Sequence, residues 1–120
     1  MAASLYERLG GTEGITQIAS DALDNHLANP RIQARYAELD NLEAVRQGAA
    51  NFFISATGGP DVYEGKNMLD THRGMNIDEA EFMAVVDDIL DSLDKNNIGQ
   101  GEQAEVLFAL YSMRREIILV

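Results

Sequence analysis

Apolar residues recur at helical spacing along most of this chain, and no segment alternates apolar and polar residues as a strand does. The clearest pattern begins at Asp78 and ends near Asn96. Its inward face consists of Phe82, Val85, Val86, Ile89, Leu90 and Leu93. The helical spacing predicts an all-α fold. Because the chain has 120 residues and contains no repeat or linker, we predict one domain spanning residues 1–120.

Glycine, proline and capping residues set the expected ends of the helices. We predict a short helical turn from Ser4 to Leu9, followed by a helix that Thr12 caps and Asn29-Pro30 ends. A third helix is capped by Asp40 or Asn41 and ended by Gly58-Gly59-Pro60. The last two helices run from Asp78 to about Asn96 and from about Glu102 to Glu116. The last helix is expected to supply core residues, namely Val106, Leu107, Leu110, Tyr111 and Met113.

One histidine lies in a stretch between two of these helices. The segment from Asn67 to Arg73 is too brief for a stable helix unless something outside it orders it, and His72 lies near its end. Asp78 with Glu81 three residues later forms a capping-box pattern that starts the next helix. The pattern therefore presents His72 from a short turn between two long helices.

Composition excludes several classes of function. Twenty acidic against nine basic residues give a formal charge of -11, which disfavours nucleic acid and anionic membranes. The absence of cysteine removes disulfides and thiolate-bound metals. The sequence shows neither an apolar run long enough to span a bilayer nor a signal-peptide pattern. We therefore expect a cytoplasmic protein that does not enter a membrane.

Several motifs in the same order resemble the truncated (2/2) haemoglobins, most closely their group I. They are SLYERLGG at Ser4 to Gly11, GGP-x-x-Y-x-G from Gly58, the short turn bearing His72, and G-x-x-I ahead of the helix near Phe82. The resemblance implies a two-over-two helical sandwich around haem b, with His72 as the proximal ligand of the iron. It also implies reversible binding of O2, NO or CO.

A haem slot needs apolar and aromatic walls and polar groups for the propionates. The expected wall residues are Tyr36, Phe52, Phe53, Met68, Met75, Phe82 and Val86; Tyr36 stands where the family usually carries phenylalanine. The expected propionate partners are Arg46, Tyr63, Lys66 and Arg73. Ordinary core packing for the walls, and solvation for the cations, remain open alternatives. The second ring nitrogen of His72 is expected to bond Thr71 or the backbone of Met68.

On the distal side the resemblance places Leu23, Val45 and Ala49 where related proteins carry tyrosine or glutamine. An apolar distal pocket predicts fast oxygen release, rapid autoxidation and a relative preference for NO or CO. His26 is a possible sixth ligand, but we expect it to be an exposed residue beside Asn25. Gln47 and Asn51 are expected to face away from the pocket.

Three functions are compatible with these features. The first is a monomeric gas-binding globin, in which NO detoxification would need a reductase. The second is a gas sensor with a partner protein. The third is an interaction module that has lost haem, which the presence of His72 disfavours.

Overall fold

The computed structural model describes residues 3–120, and within that range its regular structure is entirely helical. The helices, numbered α1 to α7 in chain order, are Leu5–Arg8, Gly11–Ala28, Gln33–Ala37, Leu42–Ala56, Met68–His72, Glu79–Lys95 and Gln100–Ser112. A short 3-10 helix, Arg114–Glu116, follows α7. The predicted all-α fold class is confirmed.

Helix α2 is the centre of the packing, because it contacts α4 on one side and α6 on another. Helix α6 in turn contacts α7, which gives the two-over-two helical sandwich expected from the sequence. The apolar core consists of Leu9, Ile15, Ile18, Ala22, Ile54, Ile77, Phe82, Val86, Ile89, Leu93, Val106 and Leu110. Helices α2 and α6 come close enough for the buried Ser92 hydroxyl to donate to the Ile18 carbonyl at 2.6 Å.

Local capping explains where two of the long helices begin. Asp78 accepts from the Glu81 backbone while the Glu81 side chain accepts from the Asp78 backbone, so the predicted capping box forms at α6. Of the two caps expected for α4, Asp40 and Asn41, it is Asn41 that caps the helix. The predicted cap at Thr12 is wrong. Helix α2 begins at Gly11, and the Thr12 hydroxyl instead bonds the Tyr6 hydroxyl at 2.6 Å.

The predicted inward face of the last helix is only partly right. Val106 and Leu110 are buried, whereas Leu107 is 38% and Tyr111 49% exposed. Helix α7 carries apolar residues around its whole circumference, so the spacing alone did not identify the buried face. The helix also ends earlier than predicted, at Ser112.

The Gly58-Gly59 pair lets α1 dock against the end of α4. The Tyr6 amide donates to the Thr57 carbonyl at 2.9 Å. Gly58 has φ +97°, and a Cβ at Gly59 would lie 2.4 Å from the Tyr6 ring and 2.9 Å from the Ile54 carbonyl oxygen. Any side chain at Gly59 would therefore collide with both a rigid ring and the backbone.

Arginines join helices that are distant in sequence. Arg8 of α1 forms a two-pronged ion pair with Glu105 of α7, and Arg35 of α3 forms one with Glu81 of α6. Arg46 of α4 contacts the Asp24 carboxylate of α2 at 3.1 Å. We call these three pairs the arginine clamps.

The segment that follows α5 is fastened by the last residues of the chain. The Gly74 amide donates to the Val120 carbonyl at 3.0 Å, and the Leu119 amide donates to the Ile77 carbonyl at 2.9 Å. The 3-10 helix also packs against α5. These contacts supply the external order that so short a helix requires.

None of the helices in the described residues 3–120 is long and apolar enough to cross a membrane.

We expect Gly59→Ala to lower the free energy of unfolding by about 1–3 kcal/mol, because the new methyl group must displace the Tyr6 ring or the α4 carbonyl. Gly101→Ala is the matched control, since a Cβ there meets nothing within 4 Å and lies in a helix. Urea unfolding of both variants checks this expectation. Equal stability of the two variants would contradict the close approach at Gly59.

Candidate functional site

Helix α5 has only five residues, and polar contacts at its start hold it in place. The Asn67 side chain accepts from the Asp70 amide at 2.8 Å, which caps the helix. The Tyr63 hydroxyl donates to the Lys66 carbonyl at 2.7 Å, which ties the preceding loop to the same point. His72 is thereby placed at the last position of a short helix that is fastened at both ends.

The His72 ring is oriented by one hydrogen bond. Its Nδ1 lies 2.8 Å from the Met68 carbonyl, and a carbonyl can only accept, so Nδ1–H is the donor. Met68 is one of the two acceptors expected from the sequence; the Thr71 hydroxyl lies instead 3.4 Å from the Lys66 carbonyl. The lone pair of Nε2 is therefore left for a ligand, as in histidines that bind metals.

A large apolar cavity lies between α2, α4, α5 and α6, and His72 forms part of its wall. We call it the main cavity; its volume is about 470 Å³, within the range of small-molecule and cofactor sites. Its lining consists of Ala19, Ala22, Leu23, His26, Tyr36, Val45, Gly48, Ala49, Phe52, Phe53, Tyr63, Gly65, Met68, Thr71, His72, Val85, Ile89, Leu110, Met113 and Ile117.

A second cavity of about 360 Å³ adjoins the main one, and His72 and Tyr36 line both. We call it the side cavity. Its remaining walls include Met75, Phe82 and Val86. His72, held in a single tautomer, therefore lines two adjoining and mostly apolar cavities.

The structure brings most of the residues predicted for the slot to these two cavities. The main cavity collects Leu23, Tyr36, Val45, Ala49, Phe52, Phe53, Tyr63, Met68 and His72, and the side cavity collects Met75, Phe82 and Val86. Phe52 packs edge-on against both Phe53 and Tyr63, which makes an aromatic wall. Gln47 and Asn51 bond each other outside both cavities, as expected.

The three cations expected at the edge of the slot do not line either cavity. Arg46 instead donates to the Ser20 carbonyl and hydroxyl at 2.8 and 2.7 Å and pairs with Asp24. Arg73 is exposed and lies 3.7 Å from the Asp70 carboxylate. Lys66 is exposed next to the main cavity, and its carbonyl serves Tyr63. Two of the three cations are therefore held by carboxylates outside the cavities, Arg46 by Asp24 and Arg73 by Asp70.

Arg35 is a cation that the sequence reading missed. It lines the side cavity together with its ion-pair partner Glu81 and donates to the Met75 carbonyl at 3.0 Å. Pairing with Glu81 raises the pKa of Arg35 and lowers that of Glu81. Its position directly before Tyr36 was the available signal.

The expectation that His26 is exposed is wrong. His26 is 6% exposed, and its Nδ1 lies 2.7 Å from the Asp88 carboxylate, 62 residues away in sequence. Its ring stacks on Tyr36 with centroids 5.0 Å apart. The Asn29 amide donates to both Asp88 carboxylate oxygens at 3.2 Å, so the acceptor is itself fixed. Helical spacing on α2 could not show a partner on α6.

Burial lowers the pKa of His26, and the nearby Asp88 carboxylate opposes that effect only in part. The neutral ring with hydrogen on Nδ1 is therefore the form at neutral pH. Burial also raises the pKa of Tyr36, so its hydroxyl keeps its proton.

The comparisons with known proteins agree with this geometry. A family model described as bacterial-like globin matches residues 4–118. The chain is a bacterial-like globin. Among the relatives of this globin, the group 1 truncated haemoglobin of Tetrahymena thermophila is 28% identical over 107 residues, covering 87% of this chain and 88% of the relative. That of Mycolicibacterium paratuberculosis is 27% identical over 115 residues, covering 96% and 84%. The resemblance to truncated haemoglobins is thus confirmed.

Solved structures match the fold of the globin. The truncated haemoglobin of Tetrahymena pyriformis in its Fe(III) form superposes with a TM-score of 0.93 at 23% identity, covering 98% of this chain and 100% of that chain. The 2/2 haemoglobin of a Synechococcus species, in the cyanomet state with covalently attached haem, gives 0.88 at 24% identity, covering 97% and 98%.

Membership of the globin family implies haem binding, and the site of this chain fits that group. The main cavity is apolar, has an aromatic wall, and presents an imidazole whose Nε2 is free. No cluster of three metal-ligating side chains occurs among residues 3–120. A haem iron needs only one such side chain, because the macrocycle supplies its other ligands.

The lowered pKa of His26 predicts an acid-sensitive fold. The unfolded chain binds a proton at this histidine below about pH 6.5, whereas the folded chain resists it until lower pH, so stability is lost as the pH falls through this range. In His26→Gln, whose amide can still donate to Asp88, we expect a shallower loss. Urea unfolding at pH 7.5 and at pH 5.5, chosen as roughly one unit either side of the free imidazole value, checks this. Parallel losses in both proteins would contradict it.

Proposed function

We propose that this globin binds a b-type haem whose iron is held by Nε2 of His72, and that the haem reversibly binds a diatomic gas, O2, NO or CO. The observation that carries the proposal is the bond from His72 Nδ1–H to the Met68 carbonyl, because it leaves Nε2 without a proton on a ring that lines the main cavity. We take the haem to be non-covalently held by a cytoplasmic, monomeric, single-domain protein. The chain has no cysteine for a thioether link.

The walls of the main cavity would hold the macrocycle. Phe52, Phe53 and Met68 offer apolar and aromatic surface, and their contacts with a flat ring would exclude water from it. Tyr36 stacks on His26 and therefore has a fixed ring plane at one edge. At the rim, the Lys66 ammonium would pair with a propionate, and the Tyr63 hydroxyl, which donates to the Lys66 carbonyl, would fix the loop that carries Lys66.

Leu23, Val45 and Ala49 would form the wall opposite His72. They come from α2 and α4 and line the same main cavity as His72. When bound, ferrous haem supplies a site at which dioxygen takes on partial negative charge. These three side chains have no hydrogen-bond donor with which to stabilise that charge, whereas CO and NO need such a donor less. This favours rapid oxygen release.

Replacing His72 tests the proposed ligand. We expect His72→Gly to lose the ferrous optical spectrum of a five-coordinate histidyl haem, and added imidazole to restore it, because the free base can occupy the space left by the ring. Spectra are recorded ferric and ferrous, with and without CO. An unchanged spectrum in His72→Gly would assign the iron to another residue. Failure of the wild-type protein to hold stoichiometric haem would favour the interaction module.

Replacing Leu23 tests the apolar distal wall. We expect Leu23→Tyr to slow oxygen dissociation by about ten- to a hundredfold, since a hydrogen bond to a charged group contributes about 1.5–3 kcal/mol. Leu23→Phe is the matched control, because it adds the same ring without the hydroxyl. Stopped-flow measurement of oxygen release gives the rates. If the wild type released oxygen as slowly as Leu23→Tyr, the wall would not be apolar in effect.

A further inference from the structure

The polar atoms facing the main cavity include one that the proposed function does not use. His26 is 6% exposed, lines that cavity, and donates from Nδ1 to the Asp88 carboxylate at 2.7 Å. No residue in the described range 3–120 bonds its Nε2. No fully buried side-chain nitrogen or oxygen in that range lacks a partner, so Nε2 is not fully enclosed. His26 of α2 therefore brings a ring nitrogen without a partner to the lining of the main cavity.

Asp88 determines what that nitrogen can do. The Asn29 amide donates to both carboxylate oxygens, and the Asn25 side chain donates to the Asp88 backbone carbonyl at 3.0 Å. A carboxylate held in this way accepts the Nδ1–H of His26, which leaves Nε2 of the neutral ring as a hydrogen-bond acceptor without a proton. Stacking on Tyr36 fixes the plane of the ring.

An acceptor discriminates between small ligands differently from a donor. O2, NO and CO have no hydrogen to give, so an unprotonated Nε2 adds nothing to their binding. Water, hydrogen peroxide and hydrogen sulfide each carry an X–H bond that can donate to it. In a cavity whose walls are mostly apolar, one such bond is strengthened by the low local dielectric.

We infer that His26, positioned by Asp88, is a ligand-selecting residue that accepts a hydrogen bond from small protic ligands of the hydrogen sulfide or hydrogen peroxide type in the main cavity. The inference rests on the proposed function, because it places such a ligand on the haem held by His72. It adds a second class of ligand to the diatomic gases. Asp88 acts through His26 and is a positioning residue.

The first test is the protonation of the ring in the haem-loaded ferrous CO form. The chain contains only two histidines, His26 and His72, so nitrogen-15 NMR of the imidazoles is simple to assign with a His26→Phe sample. We expect a proton on Nδ1 and none on Nε2 of His26. Asp88→Asn should disturb this pattern, whereas Asp21→Asn, which changes another buried carboxylate on the α2–α6 side, should not. A proton on Nε2 in the wild type would overturn the inference.

The second test is selectivity, with hydrogen sulfide on the ferric protein and CO on the ferrous protein as probes. In His26→Phe we expect sulfide affinity to fall about three- to tenfold, the usual effect of one lost hydrogen bond, and CO affinity to stay within about twofold. Asp21→Asn removes a buried carboxylate on the same α2–α6 side but outside both cavities, and should leave sulfide affinity unchanged.

The outcomes separate the two proposals. Wild-type binding of CO together with unchanged sulfide affinity in His26→Phe would overturn the inference and leave the proposed function in place. Loss of sulfide affinity in Asp21→Asn equal to that in His26→Phe would assign the effect to general disturbance of the α2–α6 packing and also overturn it. A wild-type protein that binds neither probe would refute both.

Discussion

The hydrogen bond from His72 to the Met68 carbonyl lies within α5, a helix too short to be stable without contacts to the rest of the protein. Five residues give α5 too few internal hydrogen bonds to repay the cost of fixing its backbone. Its order is supplied from outside, by the cap at Asn67 and by the pairing of Gly74 and Ile77 with the last residues of the chain. The geometry of the proposed iron ligand is therefore determined by segments about 45 residues apart in sequence.

The same division between local and distant contacts explains what the sequence could predict. The α6 capping box and the Asn41 cap were predicted correctly because each depends on residues three positions apart. The predicted cap at Thr12 was wrong because the Thr12 hydroxyl forms a hydrogen bond with the hydroxyl of Tyr6, six residues away. The walls of the main cavity were found through motifs, since the spacing of Phe52, Phe53 and Met68 is equally that of an ordinary core.

Polar groups were harder to place, because their positions depend on partners that spacing does not reveal. His26 was expected at the surface, yet it is buried. Its hydrogen bond to Asp88 of α6 offsets the free-energy cost of burying a polar ring. Arg46 was expected at the slot, yet Ser20 and Asp24 hold it on the outer side of α2. In each case the apolar pattern gave the right helix, and a contact between helices decided the side chain's surroundings.

The arginine clamps have a consequence for how the fold responds to ionic strength. With 20 acidic and 9 basic residues, the excess negative charges repel one another, and added salt screens that repulsion. Salt also weakens the clamps, but these ion pairs lie at or near the surface, where each contributes little to stability. Moderate salt should therefore raise the free energy of unfolding of this globin, so we expect the fold to be more stable at moderate ionic strength than in dilute buffer.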